Sequence, residues 1–282
     1  MLGCFRPVLP VSLVLLSALL HAAWNALLKR EKNPRLAAVP VVAIAALLST
    51  ALAVATWTPM SSRAWIASLS AGAFEGAYFY TLGRALSVAP LGVVYTVSRG
   101  GALLVVWPIS LVMLGERVRA LGIVGTVLVA TGLVVTARET PRAGEVTKPG
   151  IGFAVACAGA IAGYHLSYKV ALSAGATPAG SVAVSMGLGV ILNVALLDRA
   201  QRAEAVKLVG PAIVLAGILG GVSFLVFLYA LSRGGAGAML TLRNTSVIFA
   251  LLFSLAIGER PPRLRWLGVA LVALGAVLLS LP

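Results

Sequence analysis

Long apolar runs separated by short polar breaks make up most of the 282-residue chain. A helix that spans a bilayer needs roughly 20 apolar residues, and ten runs approach or exceed that length. The predicted spans are residues 8–28, 36–57, 64–87, 91–114, 118–137, 150–172, 178–197, 206–231, 236–257 and 264–281. Breaks such as Asn33-Pro34 and Thr177-Pro178 mark chain reversals between spans. The pattern therefore predicts an all-α integral membrane protein with ten transmembrane helices.

A repeat divides the chain into two similar units. The phrase Leu-Gly-Glu-Arg at 114–117 returns as Ile-Gly-Glu-Arg at 257–260, 143 positions later. The two histidines of the chain, His21 and His165, lie 144 positions apart. A period of this length in a chain of this size indicates two copies of one unit.

The predicted units are residues 1–140 and 145–282, with five helices each and the most polar connector between them. Because five is an odd number, the second unit must enter the membrane from the opposite side. We therefore expect two inverted five-helix repeats, related by a pseudo-two-fold axis in the membrane plane. This is a common plan of transporters that alternate access to a central site.

Composition and charge support the membrane interpretation. Hydrophobic residues make up 60% of the chain and charged residues 11%, whereas soluble domains have about 25% charged residues. The net charge of +14 does not indicate nucleic-acid binding, because the basic residues lie in short clusters between apolar runs. Of the 22 lysines and arginines, 14 follow odd-numbered spans, which favours cytoplasmic odd connectors and both termini outside.

No constellation of catalytic residues stands out. The chain lacks an HExxH sequence, a phosphate-binding Walker loop and a paired aspartate motif, and Cys4 and Cys157 have no metal-ligand spacing. Two isolated histidines without further ligands do not make a haem site. The sequence therefore predicts no enzyme activity, no cofactor and no metal site. Glu116 and Glu259 each end a helix beside a basic residue, which favours a role in the turn.

Ionisable residues at membrane depth are the strongest candidates for function, because they are costly there. Glu75 lies at the middle of the third span. Arg99 and Arg243 are repeat mates within one residue and lie eight or nine residues into the fourth and ninth spans. Lys169 lies late in the sixth span, where it can also extend to the surface.

Helical spacing adds further candidates to the faces that carry these charges. They are His21, Trp24 and Asn25 on one stripe, His165, Tyr168 and Lys169 on the matching stripe, Glu75 with Tyr78, Tyr95 with Arg99, and Asn244 next to Arg243. Each has two interpretations. The histidines, Trp24 and Tyr168 either pack against neighbouring helices or line the pathway, and the two arginines either line a cavity or form a structural pair.

The chain resembles the EamA-type transporters of the drug/metabolite transporter superfamily. The resemblance rests on the two Gly-Glu-Arg turns before the last helix of each unit, on the His-Ala-Ala-Trp-Asn stretch at 21–25, and on the glycine- and leucine-rich helices at 117–136 and 264–281. It implies a basket-shaped bundle with a central cavity lined by helices 1, 3, 4, 6, 8 and 9, and often export of amino acids or related metabolites. Tyr168-Lys169 stands where Trp24-Asn25 would be repeated, which argues against strict symmetry.

The leading functional hypothesis is a secondary transporter, an exporter, in the inner membrane of a bacterium. Arginine and lysine outnumber Glu75 within the membrane, so an anionic or zwitterionic metabolite would neutralise the excess positive charge through charge-assisted hydrogen bonds. Glu75 is the candidate for proton coupling. The partners expected are a small-molecule substrate and membrane lipid, without nucleic acid. The alternative is a lipid-headgroup flippase or a membrane protein without transport activity.

Overall fold

The computed structural model describes residues 8–88, 94, 96–116, 119–138, 148–256 and 263–281. Within these ranges the chain forms α-helices and one π-helical turn, without a β-strand, which confirms the all-α class. The helices are α1 Val8–Lys29, α2 Pro34–Ala55, α3 Ser62–Val88, the π-helix Thr96–Gly100, α4 Gly101–Met113, α5 Ala120–Arg138, α6 Lys148–Ser173, α7 Pro178–Ala195, α8 Arg199–Lys207, α9 Pro211–Leu231, α10 Ala236–Arg243, α11 Ser246–Ala256 and α12 Arg263–Ser280.

Helices α2 and α7 begin at the proline-containing breaks that the sequence marks. The Asn33 side chain accepts a hydrogen bond from the backbone N–H of Leu36 at 3.3 Å. The hydroxyl of Thr177 accepts one from the N–H of Gly180 at 3.1 Å. In both helices a proline takes the first position, where its missing N–H costs nothing and its φ suits the helix.

Seven of the described helical segments are long and apolar enough to cross a membrane, and Val97–Met113 and Ala120–Thr136 are shorter apolar helices. Large apolar side chains such as Leu104 and Val112 point outward and are 77% and 84% exposed, as lipid-facing residues are. The chain is therefore a multi-pass membrane protein. The count of ten spans and the inversion of the two units remain predictions.

The fourth and ninth predicted spans are not uninterrupted α-helices. In the ninth, α10 ends at Arg243 and α11 begins at Ser246. The N–H groups of Asn244 and Thr245 bond to carbonyls only three residues back, at 3.1 and 3.0 Å, so the helix tightens there and changes register. The fourth span contains the π-helix Thr96–Gly100, which widens the turn that holds Arg99. Residues 236–253 are still long and apolar enough to form one membrane span, but the helix within the predicted span 236–257 is interrupted at Asn244 and Thr245.

A short polar helix, α8, lies in a segment where the sequence analysis predicts a loop followed by the start of the eighth span. Its first turn is closed by a reciprocal cap: Asp198 accepts from the N–H of Gln201 at 2.8 Å, and the Gln201 side chain accepts from the N–H of Asp198 at 3.2 Å. Hydropathy could not find this helix because local caps, and no apolar run, define it.

Close helix packing relies on glycine where α5 crosses α12. A Cβ added at Gly125 would lie 2.7 Å from the carbonyl oxygen of Gly275, and one at Gly268 would lie 2.7 Å from that of Gly132. Contacts this short leave no space for a side chain, so the two backbones approach as closely as small residues permit. Packing therefore explains much of the high glycine content.

The helices pair in a pattern that recurs in the two halves of the chain. α3 packs along α6 and α7, while α9 packs along α1 and α2. α5 packs on α12, and α2 on α7. The largest buried cluster, which includes Leu103, Tyr168 and Phe227, lies where these pairs meet. The helices that carry the candidate site residues thus converge on one interior.

The turn at Gly115 and Glu116 makes a contact between the two halves of the chain. Gly115 has a φ of 63°, a left-handed conformation that favours glycine, and it lets α4 end sharply. Glu116 then reaches across the bundle, where its Oε1 accepts a hydrogen bond from the N–H of Ala236 at 2.6 Å. A carboxylate at the first residue of α10 satisfies a free helix N–H and complements the helix dipole.

Glu116→Ala is expected to lower the stability of the protein by about 1–2 kcal/mol, the usual effect of removing a helix cap. The melting temperature of the purified protein should fall by a few degrees. The melting temperature of Glu116→Gln should lie between those of the wild type and Glu116→Ala, because the amide oxygen still accepts a hydrogen bond but carries no charge. Glu204→Ala, on exposed α8, is the control. A melting temperature equal in both alanine variants would show that the cap contributes nothing.

Candidate functional site

A small polar pocket lies inside the bundle where α1, α3, the π-helix, α6 and α10 meet. Its lining residues are His21, Tyr78, Arg99, Ile161, Tyr164, His165, Leu240, Arg243 and Asn244. Six of these belong to the twelve candidates that the sequence analysis names. The structure thus brings side chains from both halves of the chain to one place.

Arg99 is tied to other groups of the pocket wall. Its Nη1 donates to Asn244 Oδ1 at 3.3 Å and to Ser246 Oγ at 3.4 Å. Its Nη2 lies 3.0 Å from His21 Nε2. These contacts connect the π-helix to the break between α10 and α11 and to α1. Arg99 therefore braces the interruptions of two helices against each other.

Arg243, the repeat mate of Arg99, has a different environment. The side chain is only 3% exposed, and neither Nη1 nor Nη2 has a hydrogen-bond partner among the described residues. Its Cζ lies 4.4 Å from the ring centroid of Phe224 and 4.2 Å from that of Phe227. The aromatic faces stabilise the positive charge but do not accept hydrogen bonds as oxygen atoms do. Arg243 therefore retains donors for an anion.

His165 and Asn244 add one acceptor and one donor to the pocket. His165 Nδ1 lies 2.8 Å from the carbonyl oxygen of Ile161. A carbonyl only accepts, so Nδ1 carries the hydrogen and Nε2 of the neutral ring is an acceptor. That Nε2 and the Asn244 Nδ2 are both buried without a hydrogen-bond partner in the described part of the chain. Both side chains are at least 98% buried.

His21 has two donors competing for one acceptor. Trp24 Nε1 lies 3.3 Å from its Nδ1, and Arg99 Nη2 lies 3.0 Å from its Nε2. Tryptophan and arginine only donate, whereas a neutral imidazole accepts at one nitrogen only. One of the two contacts is therefore not a hydrogen bond. The Trp24 ring itself packs against Gly220 of α9, a packing role.

Glu75 and Tyr168 form a second polar cluster beside the pocket. The Tyr168 hydroxyl donates to Glu75 Oε1 at 2.7 Å and is also bonded to the Ser185 hydroxyl. Glu75 is 2% exposed and its Oε2 has no hydrogen-bond partner in the described ranges. The carboxyl group therefore has hydroxyl neighbours and no direct ion pair, and Arg243 acts on it only through space.

Two further predicted site residues bond elsewhere, and a third is not among the described residues. Lys169 Nζ donates to the carbonyl oxygens of Leu231 and Gly234 at 3.0 and 2.6 Å, so it caps the C-terminal end of α9. Asn25 Nδ2 donates to the His21 carbonyl oxygen at 2.7 Å, within its own helix. Tyr95 lies outside the described residues.

Several residues of the site are absent from the sequence-based candidates. Tyr164 stacks on His165 with the ring centroids 4.3 Å apart, and it lines the pocket. Its position next to His165, in a polar turn of an apolar helix, could have identified Tyr164 as a site residue from the sequence. Phe224 and Phe227 flank Arg243, but nothing in an apolar span distinguishes aromatic residues that contact a cation from those that contact lipid.

The pocket is positive and has the donors of an anion site. Two guanidinium groups line it, and its lining includes no carboxylate among the described residues. The same part of the chain has no group of three or more His, Cys, Asp or Glu side chains that could hold a metal ion. Buried charges normally have a counter-charge, and the described lining residues do not supply one for the two guanidinium groups.

The helical bundle and buried polar pocket define a multi-pass membrane protein of the transporter class, and comparison with known proteins agrees. Residues 148–281 match the model of the EamA-like transporter family. A curated protein of Sinorhizobium sp, described as an uncharacterized transporter in the cobO 3' region, is 37% identical over 67 residues. That match covers 23% of this chain and 48% of the relative, so the chain spans about half the length of the curated relative it matches.

A solved crystal structure of another protein is similar over 95% of both chains, with a TM-score of 0.73 and 21% identity. At that identity the similarity supports the fold alone. The match over residues 148–281 agrees with the resemblance inferred from the sequence. Together with the curated relative, it supports a membrane transporter.

Proposed function

We propose that this chain is a secondary transporter that exports a small anionic or zwitterionic metabolite by alternating access across the inner membrane of a bacterium. The observation that carries the proposal is the buried guanidinium of Arg243, which lines a polar pocket and has no hydrogen-bond partner among the described residues. A protein does not retain a costly charge in a membrane interior without a use for it. Binding an anion is the use that this geometry supports.

Helix interruptions support a transport mechanism. Arg99 lies in the π-helix and Arg243 at the end of α10, so each repeat-mate arginine lies at a break in its predicted span. Secondary transporters commonly bind substrate at discontinuous helices where two inverted repeats meet. The pairing of α3 with α6 and α7, matched by that of α9 with α1 and α2, agrees with two such repeats.

Flux through purified protein in liposomes tests the proposal. Liposomes are loaded with small carboxylates, amino acids or inorganic phosphate, and the exchange of labelled solute across the membrane is measured. Protein-dependent counterflow of at least one solute, saturable and absent from protein-free liposomes, is expected. If no solute in the panel exchanges, although the protein is folded and correctly reconstituted, the proposed transport function is wrong.

Inverted repeats predict that equivalent loops lie on opposite sides of the membrane. Arg119 and Arg263 follow the two Gly-Glu-Arg turns and are both exposed. In a background without Cys4 and Cys157, single cysteines at these two positions should react with an impermeant thiol reagent from opposite sides. The charge distribution places position 263 in the cytoplasm. Labelling of both positions from one side would exclude inverted units.

A further inference from the structure

The hydrogen-bonding groups of the pocket define the kind of anion that fits it. Among the described residues, the pocket donors without a partner are Arg243 Nη1 and Nη2 and Asn244 Nδ2. Both residues line the same pocket, so the oxygens of one compact oxyanion can accept from both side chains. Charge-assisted bonds of this kind are shorter and stronger than neutral ones. This half of the pocket fits a carboxylate or another small oxyanion.

His165 needs a hydrogen-bond donor on the ligand, whereas Arg243 and Asn244 need acceptors. Its Nδ1–H donates to the Ile161 carbonyl, and its buried Nε2 is an acceptor without a partner among the described residues. An anion oxygen cannot satisfy an acceptor, so a hydrogen atom of the ligand must point at this nitrogen. The ligand therefore carries at least one hydrogen-bond donor in addition to its negative charge.

An ammonium group is a poor source of that hydrogen. It has three N–H donors and a positive charge, while the lining has two guanidinium groups and no carboxylate. Glu75 is the nearby carboxylate, but neither Glu75 nor its hydrogen-bond partner Tyr168 lines the pocket. A hydroxyl group supplies one hydrogen without a positive charge and meets the requirement of His165 alone.

We infer that the pocket selects a compact oxyanion that bears a hydroxyl hydrogen, and that it discriminates against the zwitterion of an amino acid. This inference rests on the proposed function and narrows its substrate class. Arg243 and Asn244 bind the charged oxygens, and His165 accepts from the hydroxyl group. The hydroxyl lies either on the carbon next to a carboxylate, as in a 2-hydroxycarboxylate, or on the oxyacid itself, as in a monoprotonated phosphate.

Four small probes separate these possibilities. Acetate, glycolate and glycine share a carboxylate and differ only in hydrogen, hydroxyl or ammonium on the neighbouring carbon, and inorganic phosphate tests the oxyacid hydroxyl. Binding to the purified full-length protein is measured by calorimetry at constant ionic strength and neutral pH. Glycolate should bind about fivefold to tenfold more tightly than acetate, the effect of one additional hydrogen bond, and glycine more weakly than either.

Two variants of His165 isolate the acceptor. His165→Phe keeps a ring to stack on Tyr164 and Phe227. His165→Asn keeps a donor for the Ile161 carbonyl, since Asn25 and Asn193 each donate to the carbonyl four residues back at 2.7 and 2.8 Å. Both variants remove Nε2, so in both the ratio of glycolate affinity to acetate affinity should fall to about one.

If the affinity for phosphate falls in the same variants, the hydroxyl group that His165 recognises lies on the oxyacid. If glycolate is preferred and phosphate does not bind, that hydroxyl group lies on the carbon next to the carboxylate. Glycine binding as tightly as glycolate, a preference that survives both variants, or no binding of any probe would each overturn the inference. Equal affinity for acetate and glycolate, with a phosphate affinity that neither variant changes, would also overturn it. Hydroxy-anion binding without flux would leave the site inference standing and refute the transport function. Flux of amino acids alone would support the transport function and refute the inferred preference for a hydroxy-anion.

Discussion

Arg243→Gln is expected to weaken substrate binding about tenfold to a hundredfold without lowering the melting temperature. The affinity falls because a hydrogen bond to a charged group contributes about 1.5–3 kcal/mol. The stability is preserved because the terminal nitrogens of Arg243 make no hydrogen bond with the described residues. Removing a buried charge also removes its desolvation cost, which offsets the loss of contact with Phe224 and Phe227.

The measurement pairs substrate affinity with thermal melting on the same purified samples. Arg233→Gln is the matched control, because Arg233 is exposed and stacks on the Tyr229 ring at 3.5 Å, outside the pocket. Arg243→Lys should restore only part of the affinity, since lysine lacks the planar group that fits between two rings and presents several N–H donors. Unchanged affinity with a lower melting temperature would make Arg243 a structural residue.

Arg99→Gln is expected to differ from Arg243→Gln even though the two arginines are repeat mates. Arg99 donates to Asn244 and Ser246 and contacts His21, so its loss leaves buried groups with fewer partners. Both the melting temperature and the affinity should therefore decrease. Equal behaviour of the two variants in the paired assay would show that the asymmetry of their contacts has no energetic consequence.

The all-α membrane class was predictable because lipid imposes one simple requirement. A span must be apolar over its length and must satisfy its backbone internally, and both properties are visible in the residue order. The interruptions were not predictable in the same way. Hydropathy is averaged over a window, so the few polar residues around Asn244 and Thr245 do not lower the average enough to reveal a break. The sequence of 236–257 therefore looks like one helix.

The cost of charge in a membrane identified two of the nine residues that line the pocket. Arg99 and Arg243 stand out in apolar spans for this reason, and the structure brings both to the same pocket. Lys169 stands out equally but lies elsewhere, because its ammonium group bonds to carbonyls at the end of α9. Which helix end lies within reach of a side chain is a property of the packing, and one sequence does not contain it.

Helical spacing was less informative about which groups would meet. His165 and Tyr168 share a face at i and i+3, yet His165 lines the pocket and Tyr168 bonds to Glu75 behind it. Three residues also correspond to a rise of about 4.5 Å along the axis, enough to place two side chains at different depths. The spacing predicts a shared face but not a shared site.

Glu75→Gln is expected to abolish accumulation of substrate driven by a proton gradient while leaving substrate exchange intact. Glu75 is buried at membrane depth, without a direct ion pair, and one of its oxygens has no hydrogen-bond partner among the described residues. An unpaired carboxylate charge is costly in such a place, so binding and release of a proton is the reaction that changes its energy most. Glutamine imitates the neutral acid but cannot release a proton.

The test compares two assays in the same proteoliposomes. One measures accumulation when a pH gradient is imposed, with a protonophore to collapse it, and the other measures counterflow at equal pH on both sides. Glu75→Gln should lose the first activity and keep the second within about twofold, whereas Glu204→Gln on exposed α8 should keep both.

The groups facing Glu75 are the hydroxyls of Tyr168 and Ser185, with Arg243 acting through space. Tyr168→Phe should therefore shift the pH dependence of accumulation without abolishing it. Accumulation by Glu75→Gln that still follows the pH gradient would assign this carboxyl group a structural role and move proton coupling elsewhere.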